Sequence, residues 1–213
     1  MKENLMILGD SYSTFKGYVA EGCAIYYSPA ERPETDVRRV EETWWYQVCQ
    51  KADLELVLNN SWSGSTICYT GYNNTDCSAS SSFIYRLRRL IAEGFFEKNP
   101  IDKLFLFGGT NDSWADAPLG EEQYGHWQEA DLYCVLPAIC NLLQLLKQTL
   151  PKAQIYCLIN TKLKPQIESC MLHACEKYGI TPVTFEHIHK RCDHPTVAGM
   201  QDIAEQVLRA IGK

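Results

Sequence analysis

Leu5-Met6-Ile7-Leu8-Gly9-Asp10-Ser11 is the stretch from which the fold can be read: four unbroken apolar residues, then a glycine, an acid and a serine. An uninterrupted apolar run has no polar face. It reads as a strand buried on both sides, the kind that parallel sheets contain. Gly9 permits a tight turn at the strand's end. That turn delivers Ser11 to the carboxyl edge of whatever sheet the strand joins.

The same unit recurs along the chain. Leu54 to Leu58 reads as a second strand, ending in Asn59-Asn60-Ser61-Trp62-Ser63-Gly64. Leu104 to Phe107 is a third, followed at once by Gly108-Gly109-Thr110-Asn111-Asp112. Ile155 to Ile159 is a fourth, and Thr181 to Phe185 a short fifth. Between them lie segments of helical period: Glu42 to Ala52, Phe83 to Phe96, Leu132 to Leu150 before Pro151, Gln166 to Tyr178 before Gly179, and Thr196 to Ile211. On the second of these, Leu87, Leu90 and Ile91 point inward and Arg86, Arg88 and Arg89 mostly outward. Alternating strands and helices imply a parallel sheet of about five strands with helices on both faces. Such sheets bind ligands beyond the carboxyl ends of their strands. Ser11, Gly64 and Asn111 each fall just past a strand end, so three signals converge on one edge.

Two long segments interrupt this rhythm, 16–40 and 113–129. Long loops at the functional edge of a sheet are lids and pocket walls, or else simply packing.

The bulk composition narrows the function. The 213 residues suffice for one domain with a full core, and 46% are hydrophobic, which fits a packed chain. A net charge of -6 repels phosphates and anionic lipids, so neither nucleic acid nor membrane is an expected partner. No segment reaches the roughly 20 apolar residues of a membrane span. The four-residue apolar run near the start is too short for a signal peptide, which points to the cytoplasm. Ten cysteines occur without a CxxC pair, most of them inside apolar runs, and read as free thiols in a reducing compartment.

Each polar signal has two readings. Ser11 is an exposed nucleophile or a helix cap. Gly64 lets a backbone N–H approach an oxyanion, or is an ordinary turn glycine. Asn111 offers an amide to a developing charge, or closes an Asx turn. His194, in Asp193-His194-Pro195-Thr196 before the last helix, is a general base or a surface histidine.

Taken in order, these blocks resemble the SGNH (GDSL-like) hydrolase family. Gly9-Asp10-Ser11-Tyr12-Ser13 is similar to its first block, Gly64 stands at the glycine of the second, Gly109-Thr110-Asn111-Asp112 matches the GxND of the third, and His194-Pro195 with Gly199 resembles the last. The resemblance runs from residue 9 to the final helix. It implies a three-layer α/β/α flavodoxin-like fold and hydrolysis of a small acyl ester, with no metal or organic cofactor. Ser11 would be the nucleophile, His194 the base, and the Ser11 and Gly64 N–H groups with the Asn111 side chain the oxyanion hole. The family usually has aspartate three residues before the histidine, where this chain has Arg191. An arginine cannot accept the imidazole N–H. Glu186 or Asp193 would then be the third member, or a backbone carbonyl would orient a Ser-His dyad.

The aromatic loops suggest a carbohydrate ester such as an acetylated sugar, with Asp10, Trp114, His126 and Trp127 as substrate-binding candidates. A non-catalytic carbohydrate-binding module on the same fold is the alternative. It has no need of Ser11, Asn111 and His194 together. The run His187, His189, Cys192, Asp193, His194 raises a metal site. It lacks HExxH or CxxC spacing, so none is expected. GxSxG and GxxxxGK[ST] are both absent.

Overall fold

The apolar run at the N-terminus forms β1 (Glu3–Gly9) in the structure, a computed structural model that describes residues 2–213. The chain continues through α1 (Trp44–Ala52), β2 (Leu54–Ser61), α2 (Phe83–Ala92), the single turn α3 (Phe95–Lys98), β3 (Lys103–Phe107) and the short α4 (Thr110–Trp114). Then come α5 (Val135–Thr149), β4 (Gln154–Ile159), α6 (Pro165–Tyr178), β5 (Thr181–Thr184), a hairpin of β6 (Lys190–Arg191) and β7 (His194–Pro195), and α7 (Val197–Ala210). Five strands make one parallel sheet in the order β2-β1-β3-β4-β5.

Alternate residues of each central strand feed two cores. Met6, Leu8, Leu104, Leu106 and Cys157 join the cluster built with α2, α5 and α6. Leu5, Ile7, Phe105, Phe107 and Leu158 join the cluster built with α1 and α7. Burial on both faces explains why these strands read as unbroken apolar runs. Each fully buried Leu or Ile contributes roughly 1.5–3 kcal/mol, more than local strand propensity does.

β2 runs three residues longer than its apolar stretch suggests, and a register shift opposite Leu5 and Met6 bends it. The helix expected over 83–96 breaks at Gly94 into α2 and α3. The one expected from Leu132 starts at Val135, after a 3-10 turn over Glu129–Tyr133. Among the described residues, no helix is long and apolar enough to cross a membrane.

In the order 2-1-3-4-5 the chain switches direction between β1 and β3, where a crevice opens beyond the strand ends. The turn after β1, the loop after β2 and α4 after β3 all meet there. Beyond Trp114, the segment 113–129 leads away from this crevice. The Pro118 and Leu119 carbonyls accept from the Val135 and Leu136 N–H groups, so it caps α5 as a packing loop.

Candidate active site

Ser11 opens a 3-10 turn directly after β1. Asp10 caps that turn, its Oδ1 accepting the Tyr12 N–H at 3.0 Å. The turn lies hard against β2: a Cβ on Gly9 would stand 2.5 Å from Ser61 Oγ, so only glycine fits. Ser11 Oγ and His194 Nε2 are 3.0 Å apart. The Ser11 N–H donates to no group among the described residues.

His194 reaches this point on the β6–β7 hairpin. Its two turn residues, Cys192 and Asp193, both have positive φ, 46° and 59°. Two left-handed residues are what a two-residue hairpin turn needs, and Asn-Gly normally supplies them. Here the turn aims the Cys192 carbonyl back at the imidazole, 3.0 Å from Nδ1. A carbonyl can only accept, so Nδ1 carries the proton and Nε2 is free to accept from Ser11 Oγ. The ring stacks on Tyr26 with centroids 3.6 Å apart and planes 5° from parallel. Trp114 meets it edge-on at 5.8 Å. The hairpin backbone is tied to the 3-10 turn and to the segment 16–40: Tyr12 Oη donates to the Asp193 carbonyl, Tyr27 Oη donates to the Pro195 carbonyl at 3.0 Å, and Val197 N–H donates to Asp36 at 2.9 Å. Burial pushes the His194 pKa below 6.5, against the Cys192 carbonyl and the Asp193 charge, which raise it. The imidazole is therefore neutral at pH 7 and competent as a base.

Gly64 occupies the third position of the turn Trp62–Ser65, at φ 81°, where a side chain would be strained. Its N–H donates to no group among the described residues. Asn111, in α4, donates one amide hydrogen to the Ser65 carbonyl at 2.9 Å and accepts from Tyr72 Oη at 2.9 Å. Its second amide hydrogen is left over. Next to it, the buried Asp112 carboxylate accepts the Ile67 and Cys68 N–H groups at 2.9–3.1 Å, which clamps the loop after β2 onto α4.

On α2, sequence reasoning placed two residues wrongly: Ile91, expected inward, is exposed, and Arg86, expected outward, is buried. It points inward and is 5% exposed. Its guanidinium donates to the carbonyls of Gly9 (3.1 Å), Asn60 (2.5 Å) and Ser81 (2.8 Å), and to Ser65 Oγ (3.2 Å). One cation thus ties the ends of β1 and β2 to the loop of Gly64. Burial lowers its pKa to about 9. Asp10 is fully buried as well, and burial raises it to about 7, partly offset by the Tyr12 N–H.

Several expectations need correction. Asp10 caps the 3-10 turn and is 0% exposed, so it cannot touch a ligand. Trp127 packs against the core of α5 and α6, and His126 is exposed, without a hydrogen bond among the described residues. Neither joins the Ser11–His194 pair. Glu186 is exposed, faces α7 and makes no hydrogen bond to His194; its N–H donates to Gln206. Asp193 contributes charge but no hydrogen bond to the ring, because the turn directs the Cys192 carbonyl there instead. Arg191 is exposed and stands opposite His194 in the hairpin ladder.

Trp114 does reach the pair, and it is 40% exposed. It lines a cleft of about 400 Å³ together with Thr161, Lys162, Ile188, Lys190 and Asp193. Lys190 was not anticipated. Its Nζ donates to Asn160 Oδ1 at 3.0 Å and Thr161 Oγ1 at 2.8 Å, and burial, then Lys162, lowers its pKa to about 8.

A family model described as GDSL-like lipase/acylhydrolase matches residues 3–211. Two solved structures classed as GDSL-like lipases resemble the chain throughout. One, from Bacteroides uniformis, is 44% identical with a TM-score of 0.91, covering 99% of this chain and 95% of that one. The other, from Bacteroides ovatus, is 38% identical with a TM-score of 0.92, covering 99% and 98%. A family two carbohydrate esterase from Clostridium thermocellum, solved with cellohexaose, shares the fold at 15% identity and a TM-score of 0.65, covering 99% of this chain and 64% of that one. No curated protein matches.

Proposed function

The chain belongs to the GDSL-like lipase/acylhydrolase family, and from that premise we propose that it is a serine esterase in which Ser11 and His194 act as a dyad on a small acyl ester of a carbohydrate, an acetylated sugar above all. The observation that carries this reading is the 3.0 Å approach of Ser11 Oγ to an imidazole whose other nitrogen is held by the Cys192 carbonyl. His194 Nε2 takes the hydroxyl proton as Oγ attacks the acyl carbonyl, and returns it to the departing alcohol. Water then releases the acyl group, with His194 again as base. The oxyanion is bound by the Ser11 and Gly64 N–H groups, which have no other partner among the described residues, and by the remaining Asn111 amide hydrogen. The exposed face of Trp114 beside the pair favours a sugar ring, and the polar cleft favours a hydrophilic substrate over a lipid. Ten free thiols favour a reducing compartment, the cytoplasm, and a small-molecule ester substrate needs neither nucleic acid nor membrane.

The test is hydrolysis of p-nitrophenyl acetate and of a panel of acetylated saccharides by the wild type, Ser11→Ala and His194→Ala. Both substitutions should lower kcat by at least about 10⁴-fold. A Ser11→Ala protein that keeps its activity overturns the assignment. A wild type no faster than background on every ester makes the sugar-binding module the better reading.

A further inference from the structure

His187 and His189 lie on the segment between β5 and β6, and Asp202 lies in the second turn of α7. None of the three touches Ser11 or His194, and the esterase reading leaves them without a role. Their donor atoms nevertheless converge. His189 Nδ1 is 2.7 Å from Asp202 Oδ2, His187 Nε2 is 3.2 Å from His189 Nδ1, and His187 Nε2 is 4.0 Å from Asp202 Oδ2. We propose that this triangle is a surface binding site for a transition-metal ion of the Zn²⁺ class, and that the ion staples the segment leading to the catalytic hairpin onto α7.

The dimensions fit. Ligands about 2.0–2.1 Å from a tetrahedral ion stand roughly 3.3 Å apart, which lies within the range of the three observed separations. Small side-chain rotations would equalise them. The two imidazoles stand edge to face, with centroids 4.3 Å apart, so both nitrogens can address one point. Two imidazoles and a carboxylate suit Zn²⁺ and its neighbours better than Ca²⁺ or Mg²⁺, which take oxygen ligands.

Hydrogen bonds to the main chain hold the frame. The His189 N–H donates to Asp202 Oδ2 at 2.8 Å and fixes the carboxylate. Gln206 on α7 donates to the His187 carbonyl at 2.9 Å and accepts the Glu186 N–H at 2.9 Å. Preorganised donors lose less freedom when an ion arrives. The histidine side chains are 66% and 58% exposed, so the ion has an entry path and a water can complete its shell. Glu186, Glu205 and Arg209 line the same cleft, two acids against one base, which favours a cation. The consequence reaches the hairpin directly: His189 precedes β6, and its carbonyl accepts the Thr196 N–H at 3.0 Å and the Thr196 hydroxyl at 3.3 Å, two residues after His194.

Cys192 and Asp193, counted with these histidines when the sequence is read as a run, play no part. Asp202 is the third donor, and its place 13 residues beyond His189 becomes visible only when α7 folds back over the segment.

The experiment is calorimetric titration of the full-length chain with Zn²⁺ alone, beside His187→Ala, His189→Ala and Asp202→Asn. The wild type should bind one ion with a Kd of about 10 μM or tighter, and each substitution should weaken it by at least about 100-fold. Zn²⁺ at a hundredfold excess over Kd should raise the wild-type Tm by roughly 5–10 °C and leave the His187→Ala Tm unmoved. Among the described residues the His187 side chain makes no bond outside the cluster, so that variant tests the site without testing the fold. Binding that survives His187→Ala and His189→Ala unchanged overturns the proposal, as does wild-type binding no tighter than millimolar.

Discussion

Ser11 and His194 meet at 3.0 Å, yet the two regions that bring them together are held in different ways. The sheet edge under Ser11 is a buried polar lattice. Arg86, Asp10, Asp112 and Asn59 are all buried, and most of their bonds run to main-chain groups of the strand ends, of the 3-10 turn at Ser11 and of the segment between β2 and α2. The hairpin under His194 is two residues per strand, with an exposed turn in a left-handed conformation, and the ring takes its direction from one carbonyl. The lesson concerns where side chains matter. At the sheet edge, charged side chains do the positioning. At the hairpin, a backbone carbonyl holds the ring of the proposed base, and no side-chain carboxylate hydrogen-bonds to it.

The largest test of this contrast is Arg86→Met. The substitution keeps the apolar stem and leaves the Gly9, Asn60 and Ser81 carbonyls without that donor. The expected loss is about 3–5 kcal/mol of stability in urea unfolding, at unchanged m. A loss below about 1 kcal/mol would mean that the sheet alone fixes the strand ends.

A smaller effect is expected at the hairpin, and its smallness is the point. Asp193→Asn removes a carboxylate beside the base while keeping a residue that tolerates positive φ. kcat should fall less than about tenfold, where loss of a true triad carboxylate costs about 10⁴. Stability should move by no more than about 0.5 kcal/mol. A fall of several thousandfold in kcat would show that the Asp193 carboxylate, and not the Cys192 carbonyl, orients His194.

The same contrast explains what could be read from the sequence. The strands and the three turns after them were legible because burial on both faces leaves unbroken apolar runs, as in Leu5 to Leu8 and Leu104 to Phe107. The family resemblance rests on those turns. The hairpin was not legible, since Lys190 to Pro195 has neither alternation nor an Asn-Gly signal, and its turn is forced by tertiary bonds from Tyr12 and Tyr27. Arg86 misled because a charged residue on an amphipathic helix is normally assigned to solvent. Its burial is compensated by strand-end carbonyls that no local pattern reveals. Trp127 misled in the opposite sense, an aromatic in a polar loop that turns out to cover the core of α5 and α6.

The finest test separates the two regions by pH, because their titrating groups are shifted in opposite senses. Asp10 has a folded pKa of about 7 against an ordinary 3.8. The folded state therefore keeps its proton when the unfolded chain has released it. Its contribution to stability is full below the unfolded value and is lost as pH rises through about 7. His194 is lowered by burial, and its neutral form is the base. On acidification, activity should fall through an apparent pKa below 6.5 in kcat/KM. Mild acid should thus remove activity from the hairpin side while the Asp10 contribution at the sheet edge is still growing. The measurement pairs a pH profile of kcat/KM with urea midpoints of the wild type and Asp10→Asn. The stability difference between the two proteins should change across pH 4–7, because asparagine does not titrate. A difference that stays flat over that range would mean that Asp10 is ionised throughout, stabilised by Arg86 more than burial opposes it. A kcat/KM profile that breaks above 6.5 would mean that the Cys192 carbonyl and the Asp193 charge outweigh burial at His194.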